Sequence, residues 1–491
     1  MNKSPTRKKK PLPGTAARML LYVLMTLSVI VIVTILVLVV RGYRFNSFDG
    51  RLEQGGLLQY DSRPSGAEVF LGDTRLANRT ANKVTVSSGE HVVTMKKSGY
   101  KDWSKRVAVV PGSILWLNYT RLVPEELKTE PIKTYPELAG ALPSGDRKYM
   151  AIVPNRSSPQ IDLVSVDANT PRAKTVTIAD DVLSEAAAPE SQQITVHMWD
   201  HDNRYVLVSR AYDDTREWFV VDMRGNEKTT NITTSMGVDI EYAEFGWQNN
   251  RIVYVKTANA EVRRLDITAR SMSGPLVSNV AEFSQYDAST VTYVSRFDEQ
   301  TKQRTVGYLT EGASKPRTLR TYTEQADAAL QLRIGKYFGK TYVAIAHGEM
   351  LDIMTGELLG SGSDDPSALT QVASLTVPAG VDRLGVSSRD ARFIYAENTS
   401  SISVYDLELE TFNTTPIDNA SGMGVTWLDR EHFSTSKDDV VMYDFDGTNK
   451  RHMLARSLDF PAMISANDKY FYGFVDTDDG PVLMRCALLL E

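Results

Sequence analysis

His197, Asp200, His201 and Asp202 lie within six residues, HMWDHD. Imidazole and carboxylate bind zinc and other divalent ions, and residues four apart on a strand share a face. The same polar turn recurs along the chain without histidine, so the stretch reads as a hairpin and no metal is expected. DFDGTN (444–449) opens like a calcium loop, but its twelfth position is Ala455 where a bidentate glutamate is required. It reads as a hairpin closed by Asp-Gly. The nucleophile elbow Gly-x-Ser-x-Gly, the phosphate-cradling Gly-x-x-x-x-Gly-Lys-Ser/Thr and His-Glu-x-x-His do not occur. The sequence therefore predicts no catalytic residue, no cofactor and no enzyme. The single cysteine, Cys486, excludes an intramolecular disulfide and a cysteine zinc site.

Trp199, Trp247 and Trp427 remain as candidate ligand-binding residues, since they recur at corresponding places in a repeat. Exposed indoles stack on sugar faces; buried ones fill the seams of repeat proteins. Both readings stand at this stage.

The structural framework begins with Met19–Val40, 22 residues without a charge. About 20 apolar residues cross a bilayer as a helix, the one spanning state a lone segment can adopt. No Ala-x-Ala cleavage site follows, so the segment is expected to be an uncleaved anchor. Residues 1–18 are a basic tail with Lys3, Arg7, Lys8, Lys9, Lys10 and Arg18 and no acid, which predicts an N-terminus in the cytoplasm and later domains outside the cell membrane. The whole chain of 491 residues carries −6, but residues 1–44 carry +8, leaving an acidic remainder. That remainder lacks the basic face a nucleic acid needs.

After a juxtamembrane segment (41–56), residues 57–123 alternate apolar and polar positions between Gly-containing turns, the pattern of short half-buried strands in a small β-sandwich. Pro64, Gly66, Ala67, Gly72, Asp73, Gly89, His91, Gly99, Tyr100 and Trp103 follow one another in an order that resembles the PEGA domain. Ser65 stands where that family has Glu, and Thr80-Ala81 where it often has Thr-Pro. The resemblance implies a prokaryotic, envelope-exposed binding or spacer module without catalytic activity. Tyr100 and Trp103 are expected in its core. Residues 124–137, with three prolines, read as a linker.

From residue 138 onward a phrase of apolar residue, Asp, apolar residue and turn recurs: around Asp222, Asp266, Asp352, Asp406 and Asp444, with weaker copies at Ser165, Leu309 and Arg485. A second phrase precedes it, a polar turn with Asp or Asn, then Lys/Arg and an apolar strand, as in WDHDNRYVLV and SSRDARFIYA. A period near 40–45 residues built of short strands predicts a β-propeller of seven or eight blades over 138–491, with an array of β-sandwiches as the alternative. The turn resembles the Ser-Pro-Asp-Gly turn of TolB-like and WD40-like propellers, without its Pro and with little Gly.

The expected fold is thus mainly β: one transmembrane helix, a PEGA-like sandwich and a propeller. The expected function is a membrane-anchored extracytoplasmic binding or scaffold protein of the prokaryotic envelope, meeting the bilayer through residues 19–40 and a glycan or protein through the propeller. A propeller lyase or hydrolase, or a ligand sensor, is the alternative. The oligomeric state is open.

Overall fold

The computed structural model describes residues 14–40, 43–46, 51–184, 191–323, 329–359, 369–387, 392–417 and 424–490. The basic residues Lys3 to Lys10, residues 185–190 and residues 360–368 are among those outside these. The chain divides into two compact units, Met1–Glu125 and Glu126–Glu491.

In the first unit Gly14–Val40 is one continuous helix, and Arg18–Val40 is long and apolar enough to cross a membrane. Three hydroxyls along it are satisfied within the helix: Thr26, Ser28 and Thr34 donate to the carbonyls of Tyr22, Met25 and Ile30 at 2.8–2.9 Å. None of them needs water. Tyr43–Asn46 and Arg51–Gln54 then pair as an antiparallel ribbon.

Residues 56–121 form two small sheets. One has three strands, Asn82–Val86, Gly56–Arg63 and Ile114–Arg121, the last pair running parallel. The other has four: Thr74–Arg75, Glu68–Leu71, Gly89–Lys96 and Trp103–Val109. Buried and exposed positions alternate along Gly56–Arg63 and Trp103–Val109, as the strand period demands. The two sheets meet where Trp103 lies edge-on to Tyr119, ring centroids 6.0 Å apart. Tyr100 and Trp103 are both buried, as expected. Thr80 is also buried; its hydroxyl accepts the Ala67 N–H at 2.9 Å and meets Ser62 Oγ at 2.6 Å, fixing the chain's entry into the domain.

The second unit holds eight four-stranded antiparallel sheets among the described residues. Blades 1 to 7 use four consecutive strands each, with first strands Gly140–Pro143, Gln193–Trp199, Ile240–Gly246, Val280–Gln285, Leu330–Tyr337, Arg383–Val386 and Thr426–Trp427. Blade 8 takes three strands from the C-terminal end, Met463–Ile464, Tyr470–Thr477 and Gly480–Ala487. Its fourth and outermost strand is Thr129–Thr134. This corrects the expectation of a linker over 124–137. A strand can form there because Pro131, which has no N–H to give, sits at a register shift on an edge strand.

Apolar faces of neighbouring sheets bury one another around the ring. Val153, Ile161 and Val208 join blades 1 and 2, and Trp218, Ile240 and Val253 join blades 2 and 3. Tyr135, Ile152, Tyr472 and Phe474 join blade 8 back to blade 1. The Tyr472 hydroxyl donates to Val166 O at 2.9 Å across that last seam. A single sheet cannot bury both its faces; a closed ring of them can. The chain is a β-propeller behind an N-terminal apolar helix.

The two recurring phrases fall at fixed places. The Asp phrase lies on the third strand of its blade, and the polar turn joins the first strand to the second. In blade 2 the two meet. Arg204 holds Asp222 through Nε (3.2 Å) and Nη2 (2.9 Å), while Asp222 also accepts the N–H groups of Arg224, Asn226 and Glu227 in the following turn. In blade 6 Arg392 holds Asp406 in the same forked way, at 2.9 and 2.6 Å. Glycine is scarce in the turns because Arg147, Asn203, Gln248 and Asp468 take the left-handed position themselves, at φ of 50–60°.

Candidate ligand cavity at the central channel

First strands of consecutive blades run side by side and line the axis of the ring. At their C-terminal ends, in blades 2 to 6, they enclose a cavity of about 730 Å³. Blade 2 gives it Met198, Trp199 and His201; blade 3 gives Glu244 to Gln248; blade 4 gives Ser284 to Asp287; blade 5 gives Arg333, Ile334 and Lys336; blade 6 gives Val386. A second cavity of about 360 Å³ lies between blades 3 and 4 and shares Glu244, Ser284 and Arg333 with the first.

Of the three tryptophans singled out by the sequence, two come together here. Trp247 sits in the turn after the blade 3 strand and is half-buried. Trp199 lines the cavity too, but its Nε1 donates to Leu142 O of blade 1 at 3.1 Å, and its ring packs into the seam between blades 1 and 2. Trp427 is elsewhere. It stacks on Phe393 (6.0 Å, 15°) and touches Tyr395 and Phe433, in the seam between blades 6 and 7. A lone repeat position therefore yields one wall residue, one shared residue and one core residue.

Glu244, Arg333 and Lys336 had no signal in the sequence, because no repeat phrase covers the first strands of blades 3 and 5. Glu244 is buried. It accepts the Tyr242 hydroxyl at 3.0 Å and the Gln285 N–H at 2.9 Å. Burial pushes its carboxyl above the usual range, only partly opposed by those hydrogen bonds and by Arg333. Arg333 in turn pairs with Glu282 at 2.6 Å and donates to Leu332 O.

His197 and His201 do not converge on a metal. The His197 Nε2 meets Ser209 Oγ at 2.7 Å, and its ring lies 4.4 Å from that of Trp218. No cluster of three metal-ligating side chains exists among the described residues. Burial first, and Arg216 second, push the His197 pKa down to about 4. An unfolded histidine titrates near 6.5, so the folded chain binds fewer protons and loses stability as pH falls from 6.5 towards 4. Replacing His197 with Gln is expected to remove about 3 kcal/mol of that acid sensitivity, read as the difference in urea stability between pH 7 and pH 4.

Residues 56–124 match the PEGA domain family. The PEGA match covers the two small sheets and leaves the propeller outside it. No curated protein matches the chain in sequence. Among solved structures, the C-terminal WD40 domain of Sif2 aligns over 74% of this chain and 99% of its own at 11% identity and TM-score 0.48. The β-propeller domain of Cps50 (Swd1) from Myceliophteria thermophila covers 75% of this chain and 100% of its own at 8% identity and TM-score 0.41. An oligogalacturonate lyase in complex with manganese covers 74% and 98% at 9% identity and TM-score 0.41. The propeller assignment stands on the closed ring of sheets.

Proposed function

We propose that the chain is a single-pass membrane protein of the prokaryotic envelope that binds the end of a glycan in its propeller cavity. Arg18–Val40 is the anchor, the N-terminus lies in the cytoplasm, and the PEGA domain and propeller lie outside. The observation that carries the binding reading is the cavity. Its volume suits a small ligand or a chain end, and it combines Trp199, Trp247 and Tyr286 with a few polar groups. Sugars are bound by that mixture of aromatic faces and hydrogen-bonding groups, whereas a globular partner needs a broader surface.

The test uses the full chain in detergent micelles, mixed separately with isolated cell-wall material and with a membrane-protein extract. Retention on the wall, reduced at least tenfold in Trp247→Ala, supports the reading. Retention by protein alone, or wall retention indifferent to Trp247, overturns it.

Glu244 favours one second reading. A buried carboxyl beside a cavity, its pKa raised by desolvation, is placed and shifted in the direction that suits a general acid, so the site fits a glycan-cleaving enzyme as well. Release of new sugar ends from the wall material, abolished in Glu244→Gln, would select it.

A further inference from the structure

The inner-strand ends around the cavity differ at blade 5. There Leu330–Tyr337 contributes Arg333 and Lys336 to the wall, then reverses through Phe338 and Gly339 alone into Lys340–His347. Phe338 has φ +43° and Gly339 φ +78°. Two-residue turns of this kind favour Asn-Gly, Asp-Gly or Gly-Gly, because positive φ crowds a Cβ against the backbone. Phe338 is also 85% exposed, more than any other large apolar side chain among the described residues outside the N-terminal helix. A bulky ring in water on a strained backbone costs stability twice. Such outliers gather at ligand clamps. The base of the hairpin is held, since Tyr337 packs edge-on to Phe338 with centroids 4.6 Å apart and against the apolar core shared with blade 6.

The charges of the wall differ in the same place. Arg333 is paired with Glu282, Glu244 is bonded to Tyr242 and Gln285, and Asp287 accepts the Ser289 N–H at 2.9 Å. Lys336 is exposed, and no carboxylate or carbonyl among the described residues engages its ammonium.

We infer that the Lys336–Phe338 tip selects the ligand: Lys336 pairs with a carboxylate on an oligosaccharide seated in the cavity, and Phe338 covers the adjoining sugar face at the mouth. This rests on the glycan reading above and adds its chemical class, a carboxylated oligosaccharide. An ammonium–carboxylate pair supplies a charge-assisted hydrogen bond, and the aromatic face supplies apolar cover.

The test titrates the full chain in detergent micelles with two probes, a hyaluronan tetrasaccharide, which is carboxylated, and a neutral chitin tetrasaccharide. Tryptophan fluorescence is the readout. The wild-type chain is expected to prefer the carboxylated probe at least tenfold. Lys336→Met should erase that preference, weakening the carboxylated probe at least tenfold more than the neutral one. Phe338→Asn should weaken both probes about tenfold and raise the thermal midpoint, because Asn suits the turn. A wild-type preference that survives Lys336→Met, or full affinity in Phe338→Asn, overturns the inference. Trp247→Ala separates the two levels. Loss of binding in Trp247→Ala with preference intact in Lys336→Met means that the tip assignment alone is wrong. Wild-type affinity in Trp247→Ala, or no binding of either probe by the wild-type chain, brings down the glycan reading and this inference with it.

Discussion

Replacing Glu217 with Ala is expected to lower the stability of the propeller by about 3–5 kcal/mol. Glu217 and Arg210 of blade 2 are each 1% exposed and pair at 2.9 Å. Neither charge reaches water, so each depends on its partners. Glu217 also accepts Asn231 Nδ2 at 2.7 Å, Ser184 N at 3.1 Å and the Ser184 hydroxyl. Arg210 Nε donates to Gln192 at 2.7 Å, and Gln192 reaches Ser157 O of blade 1. Removing one member strands the others in a low-dielectric interior. Arg210→Met should cost a similar amount. The double variant Arg210→Met/Glu217→Leu should recover at least half of the loss, since no unpaired charge is left behind. Urea unfolding followed by tryptophan fluorescence reads all three. Single variants within 1 kcal/mol of wild type would show that the network carries little. Gln192 immediately precedes the first strand of blade 2, which ends in Trp199, so the network fixes one wall of the cavity as well as the seam.

The second large effect separates two tryptophans that look alike in the sequence. Trp427→Ala is expected to destabilise the fold by about 3 kcal/mol, because its ring fills the seam made with Phe393, Tyr395 and Phe433. Its binding should be unchanged. Trp247→Ala should alter stability by less than about 1 kcal/mol, as for other half-exposed turn residues, and should lose the ligand. Thermal unfolding and the wall-retention assay, run on both variants, give opposite orders if the assignment holds. Equal loss of binding in both would place Trp427 in the site after all.

The fold was legible because its period is physical. The Asp of the third strand and the Arg of the first turn recur together since, in blades 2 and 6, one grips the other: Arg204 with Asp222, Arg392 with Asp406. In blade 7 Glu431 stands in the Arg place, and His432, the next residue and the one paired with Asp444, lies 3.5 Å from that carboxylate instead. The PEGA segment was legible through its glycines, Gly66 and Gly72, which take φ of +83° and +56° at the turns. The fourth strand of blade 8 was not. Proline and polar residues over Thr129–Thr134 carry no strand pattern, and its partner Gly480–Ala487 lies about 350 residues away in the chain. The cavity was legible only at Trp199 and Trp247. Glu244, Lys336 and Phe338 acquire meaning from the ring that brings five strand ends together, and local spacing does not encode that meeting.

Thr129–Thr134 has a mechanical consequence. It is the first strand of the ring met from the N-terminal side, and it is laid along the outer edge of the last sheet, tied by Glu130 to Arg485 and by Lys133 to Asp162 of blade 1. Tension arriving along the chain from the helix therefore loads this clasp before any other strand of the propeller. Whatever grips the propeller while the helix is held fast pulls directly on the outer strand of the closing blade.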